Sequence, residues 1–437
     1  MSHSDAPTDP FLEAARSGGA KADAIAPLRA RAADAYAAAG LPTRRVERWK
    51  FTDLNRLRKL GFSGSPVVEP AVVPENALAV EGVRLTLVNG RVCAALSDLD
   101  TLPEGVRVRS LAAALADGDA ALADRLSVDA GVTDAPLAAL NTAALEDGWL
   151  IDVAEGAMVE TPLHLIFIAA NEGAEQAAAC HPRLALTLGA NASATVIESH
   201  VGLGAGPTFS NSVSEIALSR GARLGHYVLQ DETDAAFHIA SSALRLDESA
   251  VYDGFVLQLG AALARRELRV ELAGPRADCR LDGAYLGHDA QVLDNTLFVD
   301  HAAPETVSRE TFKGVLDDKA RGVFQAKTLV RPEAQRTDGR QLHKALLLSD
   351  GAEVDAKPEL EIYADDVACS HGATAGDLDH DQLFYLRARG IPEATARGLL
   401  IEAFLTEHVQ AVAHAGARAA LAAALAAKLK AVEGVGA

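Results

Sequence analysis

Cys369 and His371 are the two side chains of this sequence best placed to hold a metal or to meet a chemical partner. They stand two residues apart within the stretch Lys357–Ile391. If the chain runs extended from Leu360 to Val367 and on into this pair, both side chains project from one face, because side chains alternate along a strand. We therefore expect the pair to be able to touch one common ligand or partner.

The thiol and the imidazole differ in the chemistry they offer. A free thiol titrates near pH ~8.5, and the neighbouring Asp365 and Asp366 oppose its ionisation, so Cys369 is a poor nucleophile by itself. A neutral imidazole binds metals without such help, and Gly372 beside His371 leaves room for a partner surface. Taken alone, the residue types favour simple packing on the last coil of a repetitive fold.

Common catalytic motifs are absent from the sequence. The phosphate-binding motif GxxxxGK[ST], the zinc motif HExxH and the serine-hydrolase motif GxSxG do not occur. We therefore expect no ATP hydrolysis by a phosphate-binding loop of this chain. A second Cys/His pair, Cys180 and His181, consists of adjacent residues that face opposite sides of a strand, so we expect it to be structural.

Charge and hydropathy exclude several classes of partner. The net charge of −19 opposes binding to a phosphate backbone, so nucleic acid is not an expected partner. No run of residues is long and apolar enough to span a membrane, and the first residues lack the pattern of a secretory signal. These features predict a cytoplasmic protein, whose four scattered cysteines are thiols rather than disulfides.

The elements that must position Cys369 and His371 fall into three predicted regions. A chain of 437 residues is longer than a single hydrophobic core usually accommodates, so we expect two or three domains or an elongated solenoid. Residues 1–147 combine a helix over 22–39, a basic group at 44–50, a hairpin around Asn89-Gly90 and helix-like periodicity over 110–146. Residues 380–437 are helical, with a stop at Gly390–Pro392 and a restart near Glu393.

The middle region, residues 148–379, consists of short strands in a loose repeat. Apolar triplets recur about every 26 to 30 residues, each followed by turns and a second strand, and no segment resembles a crossover helix. The triplets are Leu186/Leu188, Ile216/Leu218, Leu244/Leu246, Val270/Leu272 and Leu297/Val299. A β-sandwich of hairpins and a β-solenoid both fit, and the regular period favours the solenoid.

Three stretches near the C-terminus resemble the SufB/SufD family of iron–sulfur assembly proteins, in particular its SufD branch. They read KPxLEI from Lys357, ADDVxCSHGAT from Ala364, and FYLxxRGI from Phe384. Weaker similarity appears at Arg45–Leu54 and at Gln341–Ser349, where Lys344 stands in place of the family's usual asparagine. The additional cysteine-bearing segments expected of SufB are missing, which favours the SufD branch.

This resemblance implies a fold and a set of partners. It implies a right-handed parallel β-helix whose last coil pairs with SufB, and a nascent iron–sulfur cluster held transiently at that interface. His371 would contact the cluster, with Cys369 a weaker candidate, and the chain alone would hold no stable cofactor. The ATPase SufC would dock on the helix from Glu393 to His408, through residues that include Arg397, Leu399, Leu400 and Phe404.

The expected function is therefore that of a non-enzymatic scaffold, with two alternatives. One is a carbohydrate-active β-helix enzyme, although such enzymes are usually exported and carry clustered carboxylates in a groove, whereas Asp365 and Asp366 alternate faces. The other is a homodimeric structural protein, a form that the chain in isolation would be able to adopt.

Overall fold

The structure is a computed structural model that describes residues 9–64, 66–68, 72–126, 135–173 and 176–431. Two predicted helical stretches extend past these bounds, because 127–134 and 432–437 lie outside the described residues. No helix within the described ranges is long and apolar enough to cross a membrane.

Helices occupy the two ends of the chain and strands fill its middle. The helices are α1 (Leu12–Gly19), α2 (Ala26–Ala39), α3 (Asn55–Arg58), α4 (Leu111–Ala116), α5 (Leu122–Arg125), α6 (Pro136–Ala144), α7 (His380–Ala388), α8 (Glu393–Val409) and α9 (Ala415–Ala431), with 3-10 turns at Glu47–Trp49, Ala94–Leu96 and Leu99–Thr101. The predicted break before Glu393 is confirmed, since Gly390 has a φ of 86° and α8 begins at Glu393.

The strands before the β-helix proper and in its first coils are β1 (Phe62–Gly64), β2 (Val83–Val88), β3 (Arg91–Val92), β4 (Val106–Ser110), β5 (Gly148–Val153), β6 (Leu163–Ala170), β7 (Ala177–Cys180), β8 (Arg183–Leu188), β9 (Ser193–Leu203) and β10 (Thr208–Leu218). The later strands are β11 (Arg223–Asp231), β12 (Phe237–Leu246), β13 (Val251–Gln258), β14 (Leu263–Leu272), β15 (Asp278–Gly287), β16 (Val292–His301), β17 (Val307–Leu316), β18 (Arg321–Val330), β19 (Asp338–Leu347), β20 (Glu353–Ile362) and β21 (Ala368–Gly376).

Consecutive strands alternate between two sheets, which makes the middle of the chain a parallel β-helix. One sheet runs in the order β20-β18-β16-β14-β12-β10-β8-β5-β4, and the other in the order β21-β19-β17-β15-β13-β11-β9-β6-β2-β3. We call them sheet A and sheet B. From β8 and β9 onward each strand pairs in parallel with the next strand but one, so each coil contributes one strand to each sheet. The predicted solenoid is confirmed, and the sandwich of hairpins is not found among the described strands.

The apolar triplets stack in register through four coils, as the repeat predicts, and the fifth triplet is displaced. Leu297 pairs with Leu268 rather than with Val270, two residues away from the predicted position. The residue that continues the column of Leu272 is His301, so the predicted triplet begins two residues too early on its strand. A slip of two residues keeps the same face of the strand, which is why the repeat itself remains visible.

Helices pack on part of the outer face of each sheet, while apolar side chains fill the interior of the coils. The N-terminal helices pack on sheet A, where Phe11, Tyr36 and Leu140 meet Phe209 and Phe237. The C-terminal helices α8 and α9 pack on sheet B through Ile401, Leu405, Leu421 and Leu425 against Leu229, Phe255 and Leu257. The C-terminal helices therefore rest on the sheet that ends in β21.

A buried arginine fixes the N-terminal segment to sheet A. Arg265 on β14 is fully buried, pairs with Asp294 and Glu267, and lies 3.9 Å from the ring centroid of Trp49. Its guanidinium also donates to the backbone oxygen of Arg48 at 2.8 Å. Part of the predicted basic group at residues 44–50 is thus turned toward this chain's own sheet, since Arg48 also pairs with Glu267 at 3.6 Å.

Replacing Arg265 by leucine is expected to lower the free energy of unfolding by about 3–5 kcal/mol, because the carboxylates of Asp294 and Glu267 would be left buried without their cation. Arg245→Leu is the matched control: that arginine lies on the neighbouring strand with 56% of its side chain exposed, so its ion pairs contribute at most about 1 kcal/mol. Urea unfolding followed by circular dichroism measures both. Equal losses in the two variants would contradict the assigned role of Arg265.

Candidate functional site at the open end of the β-helix

The two ends of the β-helix are finished differently. At the N-terminal end, β4 and β3 run antiparallel to their neighbours and close both sheets. At the other end, β20 and β21 each pair with one strand only, and most of their residues are exposed. Within the described residues no further strand pairs with these last two strands. Their free edges present unpaired backbone N–H and C=O groups, which is the feature that lets a second chain add to a sheet.

The strand predicted from Leu360 to Val367 is interrupted, which corrects that expectation. β20 ends at Ile362 and β21 begins at Ala368, because the chain must turn here from sheet A to sheet B. The turn stacks on the turn of the preceding coil, where Arg336 N donates to Asp366 O at 2.6 Å.

Cys369 and His371 nevertheless share one face of a strand, as predicted, because both lie on β21. There they continue inward-facing columns of the coils below. Asp365 and Asp366 are exposed at the turn and line no groove with other carboxylates.

Cys369 is half-buried and packs beside a small apolar cluster of Val330, Ala334 and Ala364. It lies opposite Gly339 of the preceding coil, and a Cβ at Gly339 would lie 3.5 Å from the Cys369 Sγ, which is an ordinary van der Waals contact. Burial raises the pKa of the Cys369 thiol, and the Asp338 carboxylate adds to that effect. The thiol is therefore poorly ionised at neutral pH, as the sequence predicts.

His371 is exposed at the top of an inward-facing column. The column runs through successive coils of sheet B from Leu281 to Glu310, then to Gln341 and finally to His371. The imidazole makes no hydrogen bond and no ion pair with the part of the chain that the structure describes. A ring with both nitrogens free is available to an incoming ligand.

The residues under His371 are polar and buried, which the sequence did not predict. Gln341 is 3% exposed and Glu310 is fully buried, and the hydroxyls of Ser308 and Thr328 donate to Glu310 Oε1 at 3.4 Å. Burial raises the pKa of Glu310 to about 8, so this carboxyl is largely protonated at neutral pH. The column thus becomes polar toward the open end without bringing in a full buried charge.

A second polar group lies deep inside the earlier coils and was also missed. His200 and His226 contact the two oxygens of Glu198 at 2.9 and 2.8 Å, and His238 contacts Glu232 at 3.0 Å. Although burial alone would raise it, the pKa of Glu198 lies well below its usual value because of His226 and His200. These contacts are buried hydrogen bonds between imidazoles and carboxylates. No group of three or more His, Cys, Asp or Glu among the described residues is arranged to hold a metal.

The residues predicted to dock an ATPase divide into two sets on α8. Leu399 is 45% exposed, whereas Leu400 and Phe404 are partly buried and pack toward sheet B. The ring of Phe404 lies 4.7 Å from the Lys313 ammonium, which also donates to the Phe404 backbone oxygen at 3.2 Å. Arg397 is half-buried.

Two further apolar side chains are exposed on α7, which packs against α8. Phe384 is 74% exposed and Tyr385 is 58% exposed, and Arg389 donates to the Tyr385 hydroxyl at 2.8 Å. The sequence alone assigns neither of these two side chains a role. Together with Leu399 they form the exposed apolar surface of the C-terminal helices, which we call the α7/α8 surface.

Comparison with known proteins identifies relatives along nearly the whole chain. A family model for the SufBD core domain of SUF-system iron–sulfur cluster assembly matches residues 167–404, and a model for the SufBD N-terminal region matches residues 18–165. The iron–sulfur cluster assembly protein SufD of Escherichia coli is 34% identical over 86% of this chain and 86% of its own length. SufBD family proteins of Synechocystis and Mycobacterium leprae are 32% and 29% identical, over 87% and 88% of this chain and 85% and 90% of their own lengths.

The raised pKa of Glu310 predicts a loss of stability as the pH rises from mildly acidic values to about 8. Because the folded state holds this proton more tightly than the unfolded state, its contribution is complete below the unfolded pKa and disappears as pH rises through the folded value of about 8. Between pH ~5 and pH ~8 the loss is about 3 kcal/mol.

In the variant Glu310→Gln this pH dependence is expected to be absent. Urea unfolding at a series of pH values measures it, with Glu333→Gln at an exposed turn as the control. An unchanged pH profile in Glu310→Gln would refute a neutral buried acid at this position.

Proposed function

We propose that this chain is a scaffold subunit of a SUF assembly complex, because it belongs to the SufBD family of iron–sulfur cluster assembly proteins and resembles its SufD members. In this proposal it pairs with SufB through the open end of the β-helix and recruits the ATPase SufC through its C-terminal helices. The observation that carries the proposal is the uncovered last coil, with a free imidazole on it.

The free edges of β20 and β21 support pairing with a homologous β-helix. A solenoid normally needs a polar cap at each end, and here one end is closed by antiparallel strands while the other exposes apolar side chains such as Ile362 and Tyr363. A partner built on the same coil spacing offers matching strand edges. Addition of strand to strand satisfies the exposed backbone groups and buries these side chains.

His371 is the proposed ligand of the nascent cluster at that seam. Iron–sulfur clusters are usually held by cysteine thiolates, with histidine in some positions. The last coil supplies one exposed imidazole and one half-buried thiol, so the remaining ligands must come from SufB. The cluster is thus cargo of the complex, and this chain alone holds none stably.

The α7/α8 surface is the proposed docking site of SufC. Its exposed apolar side chains are flanked by charged groups, including the Arg387–Glu393 pair at 3.0 Å, as in helix-in-groove recognition. Leu400 and Phe404, predicted from the sequence as part of the docking face, also pack toward sheet B, and their contact with SufC stays a prediction.

The attachment of α8 to sheet B provides a route from SufC to the seam. Lys313 on β17 pairs with Glu407 on α8, and Arg280 on β15 donates to the Ala411 backbone oxygen at 2.9 Å. ATP-driven association of two SufC subunits would pull on α8 and, through these contacts, on strands of the sheet that carries His371. The chain itself breaks no bond in this scheme.

The variant His371→Ala, co-expressed with SufB and SufC, is expected to form the complete complex with a roughly tenfold lower content of iron and acid-labile sulfide. The side chain is exposed and makes no internal hydrogen bond, so the folded chain should lose no more than about 0.5 kcal/mol. His380→Ala removes another exposed imidazole and serves as the control. Normal cluster content in His371→Ala would exclude this residue as a ligand.

The variant Leu399→Asp is expected to release SufC while SufB stays bound, because it places a charge on the α7/α8 surface. We expect the affinity for SufC to fall at least about tenfold, the effect typical of a central apolar contact. Met158→Asp is the control, since it changes an apolar residue that is 70% exposed near the first coils, against 45% for Leu399. Co-purification from one lysate compares the two, and retention of SufC by Leu399→Asp would place the docking site elsewhere.

A further inference from the structure

The carbonyl oxygen of the Gln341 side chain is a buried acceptor without a partner, directly beneath His371. Gln341 is 3% exposed, and its Oε1 accepts no hydrogen bond within the described residues. Its register partner on the next coil is His371. An acceptor left unsatisfied in this way costs about 1–3 kcal/mol, so the fold keeps it at a stability cost.

The other end of the same amide is fixed. Gln341 Nε2 donates to Thr328 Oγ1 at 2.7 Å, and that hydroxyl in turn donates to Glu310 Oε1 at 3.4 Å. Because the Thr328 hydroxyl donates its proton to Glu310, it must accept from Gln341. The amide nitrogen of Gln341 therefore faces Thr328, and the amide oxygen is the atom without a partner. The amide is therefore held in one orientation before any ligand arrives.

The imidazole one coil above has the complementary group. Neighbouring strands stand about 4.8 Å apart, so side chains in one column reach each other by rotation about their own bonds. A neutral imidazole carries one N–H and one lone pair. If the N–H points to Gln341 Oε1, the lone pair of the second nitrogen is directed to the open seam.

We propose that Gln341 is a positioning residue for His371: its side-chain oxygen accepts the ring N–H of His371 while the other ring nitrogen binds iron of the nascent cluster. This inference rests on the proposed function of His371 and adds the group that sets its tautomer. Metal-bound histidines in general donate their second nitrogen to a carbonyl or carboxylate, which fixes the ring and strengthens the ligand.

The Glu310 carboxyl is the other group in this column that reaches the Gln341 side chain. Glu310 lies a further coil inward, and Cys369 lies in the adjacent column above Gly339. A proton on Glu310 would be able to share the Gln341 oxygen from below, and an amide oxygen has two lone pairs, so the contact from His371 remains open.

Three variants of the complex with SufB and SufC test the inference. Gln341→Met removes the acceptor at similar volume, and Gln341→Glu keeps an acceptor oxygen at the same place. Gln230→Met is the matched control, because Gln230 is 2% exposed on β11, far from the open end, and its Oε1 also lacks a partner. The readouts are iron content and the pulsed-EPR signal of the remote imidazole nitrogen in the reduced cluster.

In Gln341→Met the remote-nitrogen quadrupole coupling should shift and the affinity for the cluster should fall about 10- to 100-fold. Gln341→Glu and Gln230→Met should resemble the unaltered complex in the nitrogen signal. If Gln341→Met keeps the unaltered nitrogen signal while His371→Ala abolishes it, the inference is wrong and the proposed function stands. If His371→Ala leaves the nitrogen signal in place, His371 is no ligand and both fail.

Discussion

Each coil of this β-helix completes its backbone hydrogen bonds on the coil that follows, and the last coil has nothing to follow it. The parallel register persists without interruption from β8 and β9 to β20 and β21. Burial follows the same rule, since inward side chains are covered by the next coil in their column. Ile362 and His371 are exposed for this one reason. Both the free strand edges and the accessible imidazole are thus consequences of where the stacking stops.

Helices pack on the outer face of each sheet, whereas no helix or strand is stacked on the last coil among the described residues. The N-terminal helices cover sheet A and are tied to it by Arg265, whose guanidinium contacts Trp49 and two carboxylates. The C-terminal helices cover sheet B, where Lys313 holds α8 by Glu407 and the Phe404 ring. The end of the coils and the α7/α8 surface remain as the large apolar exposures among the described helices and last coils. A scaffold with two partners needs two such surfaces.

The repeat and the site could be predicted from different kinds of signal. The apolar triplets revealed the coils, because the residues that stack in one column are mostly apolar. The predicted register was wrong only for the fifth triplet, where His301 stands in the column in place of an apolar residue. Cys369 and His371 were found from their motif and spacing. Gln341 and Glu310 could not be found in this way, since a polar residue at an inward position resembles a solvated one until the register is known. Leu400 and Leu399 are neighbours on one helix, and only packing separates them.

The inward-facing side chains beneath His371 change from apolar to polar toward the open end, and this change has a physical consequence. From Leu281 the column passes to Glu310 and Gln341, so apolar packing gives way to groups that hydrogen-bond. A buried carboxylate would attract a cation to the interior, but burial keeps Glu310 largely neutral at physiological pH. The column therefore presents oriented dipoles rather than charge beneath the seam. An arrangement of this kind can orient an imidazole without competing with it for a metal ion, because His371 carries the only basic nitrogen among the described residues of this column from Leu281 onward.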